Sequence, residues 1–162
     1  MVVGAHAVMA HGFPRTSTDI DFVVHVPFSE EPKVEAMLRG LGHEEIERRK
    51  DEWGRRLVVE SDGLEIEVFL TPTHPVYDRE YDRRVVLDYR GEPIPFLSPE
   101  DLVVRKLVNT KLRRGHDFDD AIGVLVVQRD RIDRQYLRTH CGFYRVGELL
   151  ERAIKEAEAA DA

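Results

Sequence analysis

The 162 residues suffice for one domain with a real core, and 42% hydrophobic with 34% charged residues is globular composition that excludes a disordered chain. The net charge of −7 argues against a protein that coats nucleic acid indiscriminately. Cys141 is the only cysteine, no apolar run approaches the roughly 18 residues that span a bilayer, and MVVGAHAVMA makes a poor signal peptide, so a soluble cytoplasmic chain is expected.

Met1-Val2-Val3 reads as the tail of a strand, after which Gly4 turns the chain into a short helix over 4–10 that Gly12-Phe13-Pro14 ends. A strand is expected over 18–26. Ser29 is placed to cap a helix with Glu30 and Glu31 in its first turn and Val34, Met37, Leu38 and Leu41 as its apolar stripe. Strands over 56–60 and 64–70 are joined by Ser61-Asp62-Gly63, and a second hairpin over 85–89 and 93–97 turns at Arg90-Gly91. From there the pattern is helical. Ser98-Pro99-Glu100-Asp101 opens a helix running to 112, with a Ser cap, Pro at the first position and an acid three residues after the cap. Helices over 117–127, 133–139 and 146–159 follow, the last with Val146, Leu149, Leu150, Ala153, Ile154 and Ala157 on one stripe. The fold class is therefore α/β in the α+β sense: a mixed sheet core over 1–97, then a helical part over 98–162 packed on it as a single unit.

In HGFPRTSTDIDFVV, Asp19 and Asp21 stand two apart at the start of a strand and so share a face. Two like charges there raise a pKa or require a cation. Magnesium fits, since it takes one or two carboxylates plus phosphate oxygens; a solvent-facing strand edge blunted by acids fits equally well. In LEIEVFL, Ile66, Val68 and Leu70 face one way and Glu65 and Glu67 the other. Glu67, deeper in the apolar run, is the candidate third carboxylate of a two-metal site, and Glu65 reads as simply exposed.

Gly4-Ala5 opens a helix whose free N–H groups suit a phosphate. Arg15 and Ser17 lie in the loop feeding the acid strand, where Arg15 either reaches phosphate or pairs with a nearby acid. Lys106 falls inside the apolar arc of Leu102, Val103, Val104, Leu107 and Val108, so it either snorkels or enters a polar pocket. Asp117 and Asp120 share a helix face and are placed to hold Lys106 or a nucleotide, whereas Asp119 points elsewhere. The basic clusters Arg48-Arg49-Lys50, Arg55-Arg56, Arg83-Arg84 and Arg113-Arg114 read first as solvated faces. The seven histidines make no metal spacing, and most read as surface or loop residues.

VVGAHAVMAHGFPRTSTDIDFVV resembles the opening of polymerase β-like nucleotidyltransferases, and among them the small set related to AbiEii-type toxins. The matching elements are Gly4-Ala5, His11-Gly12, Arg15, Ser17, Asp19 and Asp21. IEVFL resembles the strand of the third carboxylate, at Glu67, and SPEDLVVRKL with HDFDDAIGVL resembles the family's lysine and Asp-x-x-Asp helices, at Lys106, Asp117 and Asp120. The resemblance covers 1–125.

It implies a metal-dependent enzyme that transfers a nucleoside monophosphate from an NTP to a hydroxyl and releases pyrophosphate. Asp19, Asp21 and Glu67 would bind two magnesium ions, with manganese as a substitute. Gly4, Ala5, Arg15, Ser17, Lys106, Asp117 and Asp120 would form the nucleotide site. The implied acceptor is a tRNA end, favoured by the basic stretch over 48–56, or a partner protein. A toxin–antitoxin partner and a homodimer are compatible with it, and a membrane is not expected. The alternative is a non-catalytic nucleotide-binding antitoxin or partner-binding module on the same fold. The chain departs from its relatives in Gly-Ala for Gly-Gly or Gly-Ser, in a glutamate as third acid, and in opening within the first strand, where relatives carry a preceding helix. A late start of this kind would leave a sheet edge in need of cover.

Overall fold

The alternation of FVVHV and IEVFL builds the centre of the sheet. The computed structural model describes residues 1–51, 54–112 and 115–160. Among them are seven α-helices, a four-stranded mixed sheet in the order β1-β4-β3-β2, and a separate β5–β6 hairpin. The chain divides into two units: Met1–His6 with Thr16–Leu97, and Ala7–Arg15 with Ser98–Ala162. The boundary falls within the first helix, α1 (Gly4–Ala10).

In the first unit, β1 (Asp19–His25) runs parallel to β4 (Leu64–Thr71), which pairs antiparallel with β3 (Gly54–Ser61), itself antiparallel to β2 (Glu47–Asp51). Parallel pairing of β1 and β4 puts Asp19 beside Glu65 and Asp21 beside Glu67. One sheet face carries Phe22, Val24, Leu57, Val59, Ile66, Val68 and Leu70, packed with Val34 and Leu38 of α2 (Glu31–Gly40). The opposite face carries the acids. The β3–β4 turn has Asp62 and Gly63 both at positive φ, the geometry of a two-residue hairpin, and Arg90-Gly91 repeats it between β5 (Val85–Tyr89) and β6 (Glu92–Phe96). Val2 bridges Phe22 on one side and Phe96 on the other, tying that hairpin to β1.

Three local expectations change. A 3-10 turn over Phe28–Glu30 precedes α2, whose cap is Glu30, without a side-chain hydrogen bond, in place of Ser29. Met37 and Leu41 are exposed, so Val34 and Leu38 alone bury the stripe of a short helix on a sheet already filled by β-branched residues. β2 and α3 (Pro75–Asp82) were not foreseen: ERRKD has no apolar alternation, and half of PVYDREYD is charged. α3 is anchored by the His25 imidazole, whose Nε2 lies 2.8 Å from Asp78 Oδ1 and whose ring stacks on Tyr81.

The second unit is built of α4 (Pro99–Leu112), α5 (Asp117–Gln128), α6 (Arg134–Phe143) and α7 (Gly147–Ala159), with α4 on α5 and α6, and α7 on α5 and α6. Ser98 opens α4 as its sequence directs: Oγ accepts from the Asp101 amide at 3.1 Å and donates to Asp101 Oδ2 at 2.7 Å. Tyr136 donates its hydroxyl to the other Asp101 oxygen, so this buried acid is satisfied. Gly12, at φ +100°, ends α1, and Phe13 lies where Gly123 of α5 has no side chain. His11 is buried, one of the histidines outside the expected surface majority, and its carbonyl accepts from Gln128 Nε2. No helix of the described residues is long and apolar enough to cross a membrane.

Candidate active site

Gly4 and Asp21 set the geometry of the acid face. Gly4 has φ +61°, open to glycine at little cost, and a Cβ on it would run into the Asp21 carboxylate. The backbone that opens α1 is therefore pressed against Asp21. The Val3 amide donates to the Asp21 carbonyl at 2.9 Å, which fixes the approach. Asp19, two residues back on the same face, accepts a short hydrogen bond from the Ser17 hydroxyl. Ser17 thus orients one acid of the pair, and Gly4 makes room for the other.

Glu67 lies beside Asp21 in the β1–β4 register, but its carboxylate turns toward β3 and β2. Arg56 Nε donates to Glu67 Oε1 at 2.8 Å, and Arg49 Nη1 reaches the same oxygen at 3.3 Å. Arg49 also holds Glu47 and Glu65. Its hydrogen bond to Glu47 keeps that carboxyl below the usual range and tightens the guanidinium's hold on its proton. Glu65, expected simply to be exposed, is half exposed and ion-paired. Asp19, Asp21 and Glu67 are brought to one face, with Glu67 committed to arginine. Among the described residues no three acid, imidazole or thiol side chains converge as a metal-binding group.

The Asp19–Asp21 pair nevertheless suits a hard divalent cation. It offers oxygen donors from two carboxylates, one oriented by Ser17, on a face reached by the start of a helix.

Arg15, Lys106, Asp117 and Asp120 lie in the second unit. Lys106 is buried, with Nζ 2.7 Å from both Asp117 Oδ1 and Asp120 Oδ2. Arg15 Nη1 stands 2.6 Å from the same Asp120 oxygen. Two cations and two acids thus form one network, in which Lys106 is held by Asp117 and Asp120 and Arg15 pairs with a nearby acid, the second of its two expected roles. Asp119 faces solvent near His116. Ala5 is buried in α1.

The basic stretch is largely neutralised. Arg48 pairs with Glu31 and Glu35, Arg55 with Glu31, and Arg49 and Arg56 with the acids above. These residues and Lys50 line a shallow pocket of about 250 Å³. Arg84 sits on the Tyr81 ring and donates to its carbonyl, while Arg113-Arg114 lies outside the described residues. Arg49 was missed as a partner of Glu67 because β2 was missed, and Arg56 because it meets Glu67 only across the β3–β4 pairing.

Compared with protein-family models and with curated protein sequences, the chain has no match. Among solved structures it is similar to an antigenic nucleotidyltransferase-like protein from Paracoccidioides brasiliensis. The TM-score is 0.56 at 18% identity, over 95% of this chain and 83% of that one. It also aligns with the antibiotic-resistance factor ANT(2'')-Ia at 15% identity, over 98% of this chain and 83% of the other, at a TM-score of 0.48. The fold is thus mixed α/β and nucleotidyltransferase-like.

Proposed function

We propose that the chain binds a nucleoside triphosphate with magnesium at Asp19 and Asp21 and transfers its nucleoside monophosphate to a hydroxyl, releasing pyrophosphate. The observation that carries this reading is Gly4 pressed against Asp21, with Asp19 beside it on one strand face. A helix-opening backbone and two carboxylates then meet at one point, the combination that a metal-bound phosphate requires. Bound there, magnesium would withdraw charge from the phosphate oxygens. Ser17 keeps Asp19 turned to the site, and the Gly4 backbone leaves room for Asp21. Lys106, Arg15, Asp117 and Asp120 form the second charged group assigned to the nucleotide on the sequence resemblance. On the same resemblance the chain stands with the small AbiEii-type set, as a cytoplasmic enzyme of a toxin–antitoxin pair. Its acceptor is then a tRNA end or a partner protein's hydroxyl.

A nucleotide-binding module without turnover is favoured by one observation: Glu67 is satisfied by Arg56, so three acids on this face do not by themselves demand chemistry. Incubation with magnesium, each α-labelled NTP and a cell extract separates the readings. Wild type is expected to label RNA or protein and Asp21→Asn to fail. Equal labelling by both sinks the metal-site assignment, and bound nucleotide without labelling selects the module.

A further inference from the structure

We propose that the cavity walled by α5, the α5–α6 link and α7 binds a free aliphatic α-amino acid, with its side chain on an apolar floor and its charged head between Arg134 and Glu158. None of the residues assigned above to metal or nucleotide is among those that line it.

The cavity lies within the second unit and measures about 340 Å³, at the lower end of the range of small-ligand sites. Its floor is aliphatic, made by Leu125, Ile132, Ile154 and Ala157. These residues keep between 5% and 9% of their surface, whereas Ala121, Val124 and Ala153 of the same two long helices are at 0%. The helical core is thus open at this place and closed beside it. A methyl group is all that position 157 offers in the last turn of α7, which leaves the floor uncovered. Water over such a floor is released when an apolar side chain takes its place, and that sets the apolar half of the ligand.

The rim sets the other half. Arg134, the first residue of α6, donates through Nη1 to Oε1 of Glu158 in the last turn of α7 at 2.9 Å. Their side chains are 43% and 59% exposed, so the pair contributes little to stability and opens at little cost. Arg129 and Asp130 add one further charge of each sign to the lining.

Charge balance decides what enters. An anion would take Arg134 and leave Glu158 facing it as a like charge. A cation would take Glu158 and leave Arg134 facing it in the same way. A zwitterion satisfies both: its carboxylate accepts from the guanidinium, and its ammonium donates to the Glu158 carboxylate. An aliphatic α-amino acid joins that head to the side chain the floor takes.

Titration of the isotope-labelled full chain with L-leucine, followed by amide NMR shifts, tests this. Saturable shifts are expected at Ile132, Arg134 and Glu158. Isocaproate, which lacks the ammonium, and isoamylamine, which lacks the carboxylate, are each expected to bind about fivefold more weakly or worse, the scale of one exposed ion pair. Glycine, with no side chain to bury, is expected to give no saturable shift. In Glu158→Gln, leucine should weaken and isocaproate should tighten. Ala157→Leu, which fills the floor, should abolish binding. No saturable shift at these amides with leucine overturns the inference. Leucine held no better than both analogues also overturns it, because the rim then does not read a zwitterion. Undiminished leucine binding by a folded Ala157→Leu overturns the assignment of the floor. If Ala157→Leu does not fold, Glu158→Gln decides: unchanged affinities for leucine and isocaproate contradict the proposal.

Discussion

Gly4 stands against Asp21 so closely that any side chain at residue 4 would occupy the space of the carboxylate. The contact joins two requirements at one residue: a left-handed backbone at φ +61° and a clear approach to an acid. Gly4→Ala is expected to lose both. Left-handed strain alone costs about 1–2 kcal/mol, and 1 kcal/mol is roughly 2–4 °C of Tm in a chain of this size. Gly63→Ala is the matched control, at φ +78° with nothing nearby. Both variants should melt lower, and only Gly4→Ala should lose magnesium-dependent nucleotide binding. Equal binding by both in a thermal-shift titration would show that Asp21 is not the group Gly4 serves.

Asp120 is the more critical acid of the helical unit. Its side chain is 3% exposed and takes both Arg15 and Lys106, whereas the Asp117 side chain is 24% exposed and takes Lys106 among the described residues. Asp120→Ala removes the acid that Arg15 holds and one of the two that the buried Lys106 holds, and is expected to cost about 3 kcal/mol, the low end of the range for breaking a buried pair. Asp117→Ala should cost less than half of that, since Lys106 keeps a partner. Urea unfolding of the two variants checks the order, and equal losses would contradict the buried network.

Much of this was legible beforehand. Alternation in LEIEVFL announced both the core face and the acid face, and SPED announced the start of α4 through its cap and its proline. Lys106 could be recognised as inward-facing because a charge within an apolar arc must be buried or snorkel, and the Asp117/Asp120 spacing offered it partners. The partner of Glu67 was not legible. Arg56 meets it only through antiparallel register across β3 and β4, and Arg49 only through a β2 strand with no hydrophobic period. Long-range charge pairing of this kind leaves no local periodic trace. Helix α3 escaped for the same reason, since its anchor is His25–Asp78 and not a strong apolar stripe.

Cys141 supplies a pH-dependent prediction. The thiol is fully buried, and burial raises its pKa from 9.0 to about 12. The unfolded thiol loses its proton near pH 9 while the folded one keeps it, so the unfolded state binds fewer protons above that pH. The contribution to stability is therefore complete below pH 9 and is lost as pH rises toward about 12. Unfolding midpoints should fall over that window, and the fall should be smaller in Cys141→Ser. At pH 8 a thiol reagent should label the native chain at the rate of unfolding. Immediate labelling would contradict the burial.

Calorimetric titration of an NTP analogue tests the central claim most directly, in magnesium and in chelator, for wild type and for Asp21→Asn. The account predicts binding that needs magnesium and weakens at least about tenfold, or about 1.4 kcal/mol, in the variant. Equal affinity in the two proteins, or binding indifferent to magnesium, would contradict it.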